Sequence, residues 1–293
     1  MVRERDIKLS NNGEYRAITR GNREVVLTSS FGLMQKKIHM NAYGLDTSGK
    51  TRFPLTGPEL IGYIPLDRKT RLTVEKNSKE LGKKFLIPKD DFIREVNPLK
   101  LSAWDEKTIR THYSDHLNRV DDAIYAMHAH PDVQVICIDL FSQYYQDCLY
   151  SSYGREMSRT IRIGSDLKKD RNEANQHVID LINAISDKHL ILTHKIRDEW
   201  IDNKPTGRTT NDGFRDVGYH CNVTAEFVNN HKWNPKVDTD DSNWHYGMAV
   251  RRCQAMPEIE QGGRKEMTLT DDGINFLNLA ALMWPDEDLE QFA

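Results

Sequence analysis

Long apolar runs, paired cysteines and an excess of one charge are all missing from this chain of 293 residues. No apolar stretch approaches the roughly 20 residues that a bilayer-spanning helix needs, so no membrane role is expected. The cysteines Cys137, Cys148, Cys221 and Cys253 stand far apart and form no C-x-x-C pair. That argues against a zinc ribbon or a disulfide framework and for a reducing, intracellular setting. The formal net charge is only −3, so any nucleic acid must be met by local basic patches rather than by a global field. The opening MVRERDIKLSNN lacks the apolar core of a secretory signal, and a cytoplasmic location is expected. Internal repeats and low-complexity linkers are absent too.

What remains is the composition of a globular protein, with 38% hydrophobic residues, enough for one sizeable core. The first thirty-odd residues are polar, with one strand-like run at EVVLTS. KIHMNAY reads as a strand leading into a Gly-containing stretch, and ELIGYIPLD as a second strand ending on Asp67. In SDHLNRVDDAIYAMHAH, Leu117, Val120, Ile124 and Met127 recur at helical spacing, with Ser114 or Asp115 as the cap. VQVICID is a buried strand ending on Asp139. A helix from about Asp166 carries Ala174, Val178, Leu181, Ile182 and Ile185 on one face, and KHLILTHK is the next strand. A polar stretch over 199–216 precedes the strand-like VGYHCNVTAEFV and HYGMAVRRC, and GINFLNLAALM forms a short terminal helix. This alternation predicts an α/β fold with a mostly parallel sheet flanked by helices, and antiparallel strands toward the C-terminus.

Gly44-Leu45-Asp46-Thr47-Ser48-Gly49-Lys50-Thr51 fits G-x-x-x-x-G-K-[ST] without a mismatch. Glycines let successive N–H groups curve around phosphates, Lys50 reaches the β and γ phosphates, and the Thr51 hydroxyl ligates Mg²⁺. Arg52 follows directly. ATP and Mg²⁺ are the expected cofactors. The competing reading is a Gly-Ser turn, which Pro54 and Gly57-Pro58 favour by limiting the following helix to two turns from Lys50. A hydrolase also needs a strand-end carboxylate for the metal, and Asp139 fits, although such an Asp can simply cap the next helix. Asp67 suits the base that polarises a water, against a surface turn beside Arg68 and Lys69. Thr193 and His194 can report the γ-phosphate by hydrogen bonding, against a buried, satisfied histidine.

In this order the pieces SGKTRFPLTGP, IPLDRKTR, VICIDLFSQ, LILTHKIRDEW, KPTGRTTNDGFRDV and MAVRRCQ resemble the bacteriophage RecA-like P-loop ATPases of the single-strand annealing and recombination group. The resemblance spans roughly residues 36–265. It implies a RecA-like ATPase core over 36–265, after an N-terminal extension (1–35) and before a C-terminal helix and acidic tail (266–293). It further implies homo-oligomers with ATP between subunits, and a host-cell cytoplasm if phage-encoded. The catalytic roles it carries are Lys50, Asp67, Asp139 and His194, with Arg251 and Arg252 reaching the γ-phosphate of a neighbouring subunit. Two departures stand out: KIHMNAY is more polar than usual, and Leu140 follows Asp139 where many relatives place Ser.

Single-stranded DNA is the partner that the resemblance implies, through 142–171 and 199–216. The first stretch carries Tyr144, Tyr145, Tyr150 and Tyr153, then Arg155, Arg159, Arg162, Lys168, Lys169 and Arg171. Aromatic faces beside cations suit a single strand, while a helix with core tyrosines and solvated charges is the alternative. The second stretch, with Lys204, Arg208 and Arg215, is expected to be mobile without ligand. His112, His116, His128 and His130 lack further ligands for zinc. Other functions stay open: a P-loop motor or loader for helicase loading or packaging, or a nucleotide-gated structural protein with vestigial hydrolysis.

Overall fold

The computed structural model describes residues 7–9, 14–18, 24–28, 36–46, 48–89, 92, 103–154, 165–201, 204–229, 246–256, 259, 267–270, 273–285 and 289–292. The chain divides into two units, Met1–Lys36 and Lys37–Ala293. In the first, β1 (Ile7–Leu9), β2 (Glu14–Ile18) and β3 (Glu24–Thr28) form an antiparallel three-stranded sheet in chain order. The sequence signals only the last of these, because IKL and EYRAI are short and interrupted by charge.

The second unit opens with β4 (His39–Gly44), followed by a tight 3-10 turn over Phe53–Thr56, β5 (Ile61–Pro65), α1 (Arg68–Leu81) and β6 (Phe85–Leu86). Next come α2 (Glu106–Ala129), β7 (Val135–Asp139), α3 (Phe141–Tyr153), α4 (Ser165–Ala184) and β8 (His189–His194). The chain continues through β9 (Ile196–Ile201), β10 (Lys204–Asn211), α5 (Val217–His220), β11 (Val223–Asn229), β12 (Tyr246–Cys253), β13 (Met267–Thr270) and α6 (Phe276–Met283). The main sheet has eight strands in the order β13-β12-β11-β4-β8-β7-β5-β6. From β11 to β6 every pairing is parallel, while β12 and β13 run antiparallel.

Both faces of this sheet are buried, as parallel strands require. Alternate residues of each strand join different cores. Ile61, Tyr63, Val135, Cys137 and Ile191 pack with Phe53, Leu55, Val74, Phe276 and Leu279 on one face. Ile64, Ile136, Ile138, Leu190 and Leu192 pack on the other against Leu117, Val120 and Ile124 of α2, Phe141 and Tyr144 of α3, and Val178 and Leu181 of α4. The parallel strands all end at one rim, where open α/β sheets bind ligands.

Four local expectations are corrected. No two-turn helix starts at Lys50: Phe53 N–H reaches the Gly49 carbonyl at 3.1 Å, and the chain then tightens into the 3-10 turn, with Pro at its start. Helix α2 begins at Glu106, nine residues or so before the expected cap, because Asp105 accepts from the Thr108 amide at 2.7 Å. The described residues of the polar 199–216 stretch fall mostly in strands, since β9 and β10 pair antiparallel. Finally, Val217–His220 is a helical turn, and the strand starts only at Val223.

Candidate functional site at the strand ends

The segment after β4 is shaped by its two glycines. At Gly44 a Cβ would lie 2.2 Å from the Phe227 carbonyl oxygen and 2.8 Å from Ser48 Oγ, so no other residue fits without moving backbone. Gly49 has φ of 92°, a left-handed conformation that favours glycine. The close approach at Gly44 and the left-handed turn at Gly49 fold the loop back on itself. Lys50, which is 9% exposed, turns back into it. Its ammonium donates to the Gly44 carbonyl at 2.8 Å, the Leu45 carbonyl at 2.5 Å and Ser48 Oγ at 3.2 Å. All three protons are therefore used, and an arriving phosphate would have to replace loop oxygens. Burial lowers the Lys50 pKa, opposed by the Asp139 and Asp46 carboxylates. Leu45 and Asp46 are exposed, Ser48 is buried, and Thr47 lies outside the described residues. Arg52 points outward to Glu80 at 3.0 Å.

Asp139, 5% exposed at the end of β7, faces the same side as Cys137 and the loop. Thr51 Oγ1 donates to its Oδ2 at 3.0 Å, and Thr193 donates to its Oδ1. Two further donors reach Oδ2: Tyr63 from β5 and Thr70 from α1, each at 3.1 Å. Neither is marked in the sequence. Their relevance depends on β5 being the neighbour of β7, with Tyr63 opposite Cys137 and Pro65 opposite Asp139. Asp67 is exposed just past β5; its carbonyl accepts from the Thr70 amide at 3.2 Å, while the Leu66 amide donates to the Asp139 carbonyl at 2.5 Å.

A hydroxyl and a carboxylate side by side are oxygen donors suited to a hard cation such as Mg²⁺, which takes one or two carboxylates and completes its shell with phosphate and water. Among the described residues, no cluster of three His, Cys, Asp or Glu is present, so a closed all-protein cage is not offered there. The donor set, a hydroxyl beside a carboxylate, is of the kind that Mg²⁺ takes. Thr51 and Asp139 would hold it.

His194 stands opposite Tyr43 in the β4–β8 register, one residue short of the level of Gly44. It is fully buried and packs edge-on to Phe141, at 5.4 Å between ring centroids. Its Nδ1 donates to the Asp212 carbonyl at 3.1 Å, which leaves Nε2 as a lone-pair acceptor with no partner among the described residues. Burial, with the Lys50 charge adding to it, pushes the His194 pKa down to about 4. In this tautomer Nε2 can only accept a hydrogen bond and cannot donate one to a phosphate oxygen.

The two arginines are not brought to the loop in their own chain. Arg251 makes a two-point contact with Glu226, 3.0 Å from Nε and 2.6 Å from Nη2, and Thr209 of β10 donates to the same carboxylate at 2.5 Å. Arg252 donates to the Gly218 carbonyl at 2.7 Å and lies 4.9 Å from the Tyr219 ring centroid. Both sit near the start of β11, whereas Gly44 is level with Phe227.

The four tyrosines proposed as base-stacking faces are core residues: Tyr144, Tyr145, Tyr150 and Tyr153 are all buried. Tyr144 donates to Asp121 at 2.6 Å, Tyr145 to Asn175 at 2.8 Å, and Tyr150 stacks on Tyr113 at 4.6 Å. Stacking of bases on them is thus corrected to internal packing. Arg155, Arg159 and Arg162 lie outside the described residues, as do the side chains of Lys168 and Lys169. An exposed aromatic occurs instead on the hairpin. Trp200, 57% exposed, lines a cleft of about 300 Å³ with Arg197, Asp198, Glu199, Thr210 and Arg215. The sequence names this Trp inside LILTHKIRDEW, but only strand pairing shows that it faces out beside arginines.

Of the four histidines weighed for zinc, His116 pairs with Asp147 at 3.4 Å, His128 with Asp187 at 2.5 Å, His112 packs against Trp104, and His130 Nδ1 accepts from the Asp132 amide at 3.3 Å. All four cysteines are buried, and none forms a disulfide. Among the described residues no helix is long and apolar enough to cross a membrane.

No protein-family model matches the chain, and no curated protein does. Among solved structures similar to it is the pCW3 conjugation coupling protein TcpA, in its monomer form with ATPγS. Identity is 8% and the TM-score 0.28, over 76% of this chain and 56% of that one. The chain spans little more than half the length of that structure, and likeness at this level says nothing of activity.

Proposed function

We propose that this chain binds ATP with Mg²⁺ and hydrolyses it on a RecA-like core, acting on single-stranded DNA in recombination or annealing. The observation that carries the nucleotide reading is the meeting of the Gly44–Thr51 cradle, its buried Lys50 ammonium, and Asp139 at 3.0 Å from the Thr51 hydroxyl. Lys50 offers its charge to the terminal phosphates, exchanging loop carbonyls for phosphate oxygens. Thr51 and Asp139 would hold Mg²⁺, which would supply positive charge against the charge building on the phosphates. Asp67, exposed at the end of the neighbouring strand, accepts a proton from the attacking water, and His194 with Thr193 orients groups at the γ-phosphate. Arg251 and Arg252 would act only on a neighbouring copy, after Arg251 releases Glu226. The exposed Trp200 with Arg197 and Arg215 supports contact with a single strand by stacking and phosphate pairing.

The test is ATP turnover with and without single-stranded DNA, at several salt concentrations, for the wild type and Lys50→Ala. Expected are DNA stimulation that weakens steeply with salt and turnover reduced to background in the variant. Unchanged turnover in Lys50→Ala overturns the site. Turnover that no nucleic acid stimulates overturns the DNA role and favours a motor or loader acting on another substrate.

A further inference from the structure

The Asp139 carboxylate holds more donors than a metal-site Asp requires. Three hydroxyls converge on Oδ2, from Thr51, Tyr63 and Thr70, although one carboxylate oxygen offers about two lone pairs. Thr51 belongs to the loop that must admit phosphate. Tyr63, fully buried on β5, and Thr70, 5% exposed in the first turn of α1, belong to fixed elements. The Tyr63 hydroxyl also lies 3.3 Å from the Thr51 carbonyl, so its single proton is shared between the loop backbone and the β7 carboxylate.

We propose that Tyr63 and Thr70 are positioning residues for the metal-holding carboxylate, keeping Asp139 aimed once the Thr51 hydroxyl turns to Mg²⁺. This rests on the nucleotide reading above. When Thr51 leaves Oδ2, Tyr63 and Thr70 stay on that oxygen and Thr193 stays on Oδ1, which keeps a lone pair of Oδ1 open toward Mg²⁺ or its water shell. The carboxyl plane is then fixed from two strands and a helix. Such outer partners typically govern metal affinity by about 10- to 100-fold.

The experiment is calorimetric titration of ADP, with and without Mg²⁺, into the wild-type chain, Tyr63→Phe, Thr70→Val and Thr70→Ser, with a melting curve for each. Expected is a Mg²⁺-free ADP affinity close to wild type in every variant. The Mg²⁺-dependent gain in affinity should shrink about 10-fold in Tyr63→Phe and Thr70→Val, and be kept in Thr70→Ser, which retains the hydroxyl. A wild-type-sized Mg²⁺ gain in the two hydroxyl-less variants, with only the melting temperature lowered, overturns the proposal and leaves the pair as packing. Should Tyr63→Phe not fold, the Thr70 pair decides alone. Failure of the wild type itself to bind ADP sinks the nucleotide reading, and this inference with it.

Discussion

At the scale of single residues the loop after β4 depends on the absence of side chains. Gly44→Ala places a methyl group against the Phe227 carbonyl, which is backbone of the adjacent β11 and has no rotamer to escape into. Destabilisation of about 1–3 kcal/mol is expected, seen as a lower urea midpoint with an unchanged slope. A wild-type midpoint would mean that β4 and β11 are not this close. The Gly44–Thr51 loop stands out in sequence because the residue types that phosphate binding asks for are consecutive. Tyr63 and Thr70 are not legible, since each lies far along the chain from Asp139 and matters only through strand order and register. The tyrosines of α3 mislead for a related reason. Phe141, Tyr144, Tyr145 and Cys148 already stand at the i, i+3, i+4, i+7 spacing of a buried stripe, and aromatic rings serve a core as readily as a base stack.

At the scale of elements, β7 and β8 are the clearest sequence signals, being continuous apolar runs of the kind that a doubly covered parallel strand requires. The β9–β10 hairpin is hidden by composition, because its residues are polar and lie in a small sheet apart from the core. Both its feet are tied to the strand-end rim: the Asp212 amide donates to the Lys195 carbonyl at 2.7 Å, and the Lys195 amide to Ser142 Oγ at 2.9 Å. A rooted hairpin can present Trp200 to a ligand without a large ordering cost. Trp200→Ala is expected to weaken single-stranded DNA binding by about 1–3 kcal/mol while leaving the melting temperature near wild type. Fluorescence anisotropy of a labelled oligonucleotide measures the first effect and calorimetry the second; equal DNA affinity would move the contact off the hairpin. Glu226 has a comparable joining role, linking β11, β12 and β10 through Arg251 and Thr209.

For the whole molecule, buried histidines set the response to acid. Burial pushes His189 down to about 3 and His194 to about 4, from an ordinary 6.5. Between 6.5 and those values the unfolded chain takes up protons that the folded chain refuses, so stability falls as pH falls through that window. Each site costs up to about 1.4 kcal/mol per pH unit. His177 works in the opposite sense, because its hydrogen bond to Asp121 raises its pKa: its contribution is full below 6.5 and is lost as pH rises through the raised value. Urea midpoints at pH 7.5 and 5.0 test the balance. A lower midpoint at pH 5.0 is expected, with a smaller drop in His194→Gln; a drop of equal size would mean that His194 already carries its proton when folded.

The margins of the eight-stranded sheet bear on how copies of the chain can associate. One ends on β6, only two residues long, and the other on β13, with four. So few unpaired main-chain groups offer a poor template for another chain, which protects against runaway ribbon growth. Association through the described margins of this sheet would therefore rest on side chains rather than on main-chain pairing.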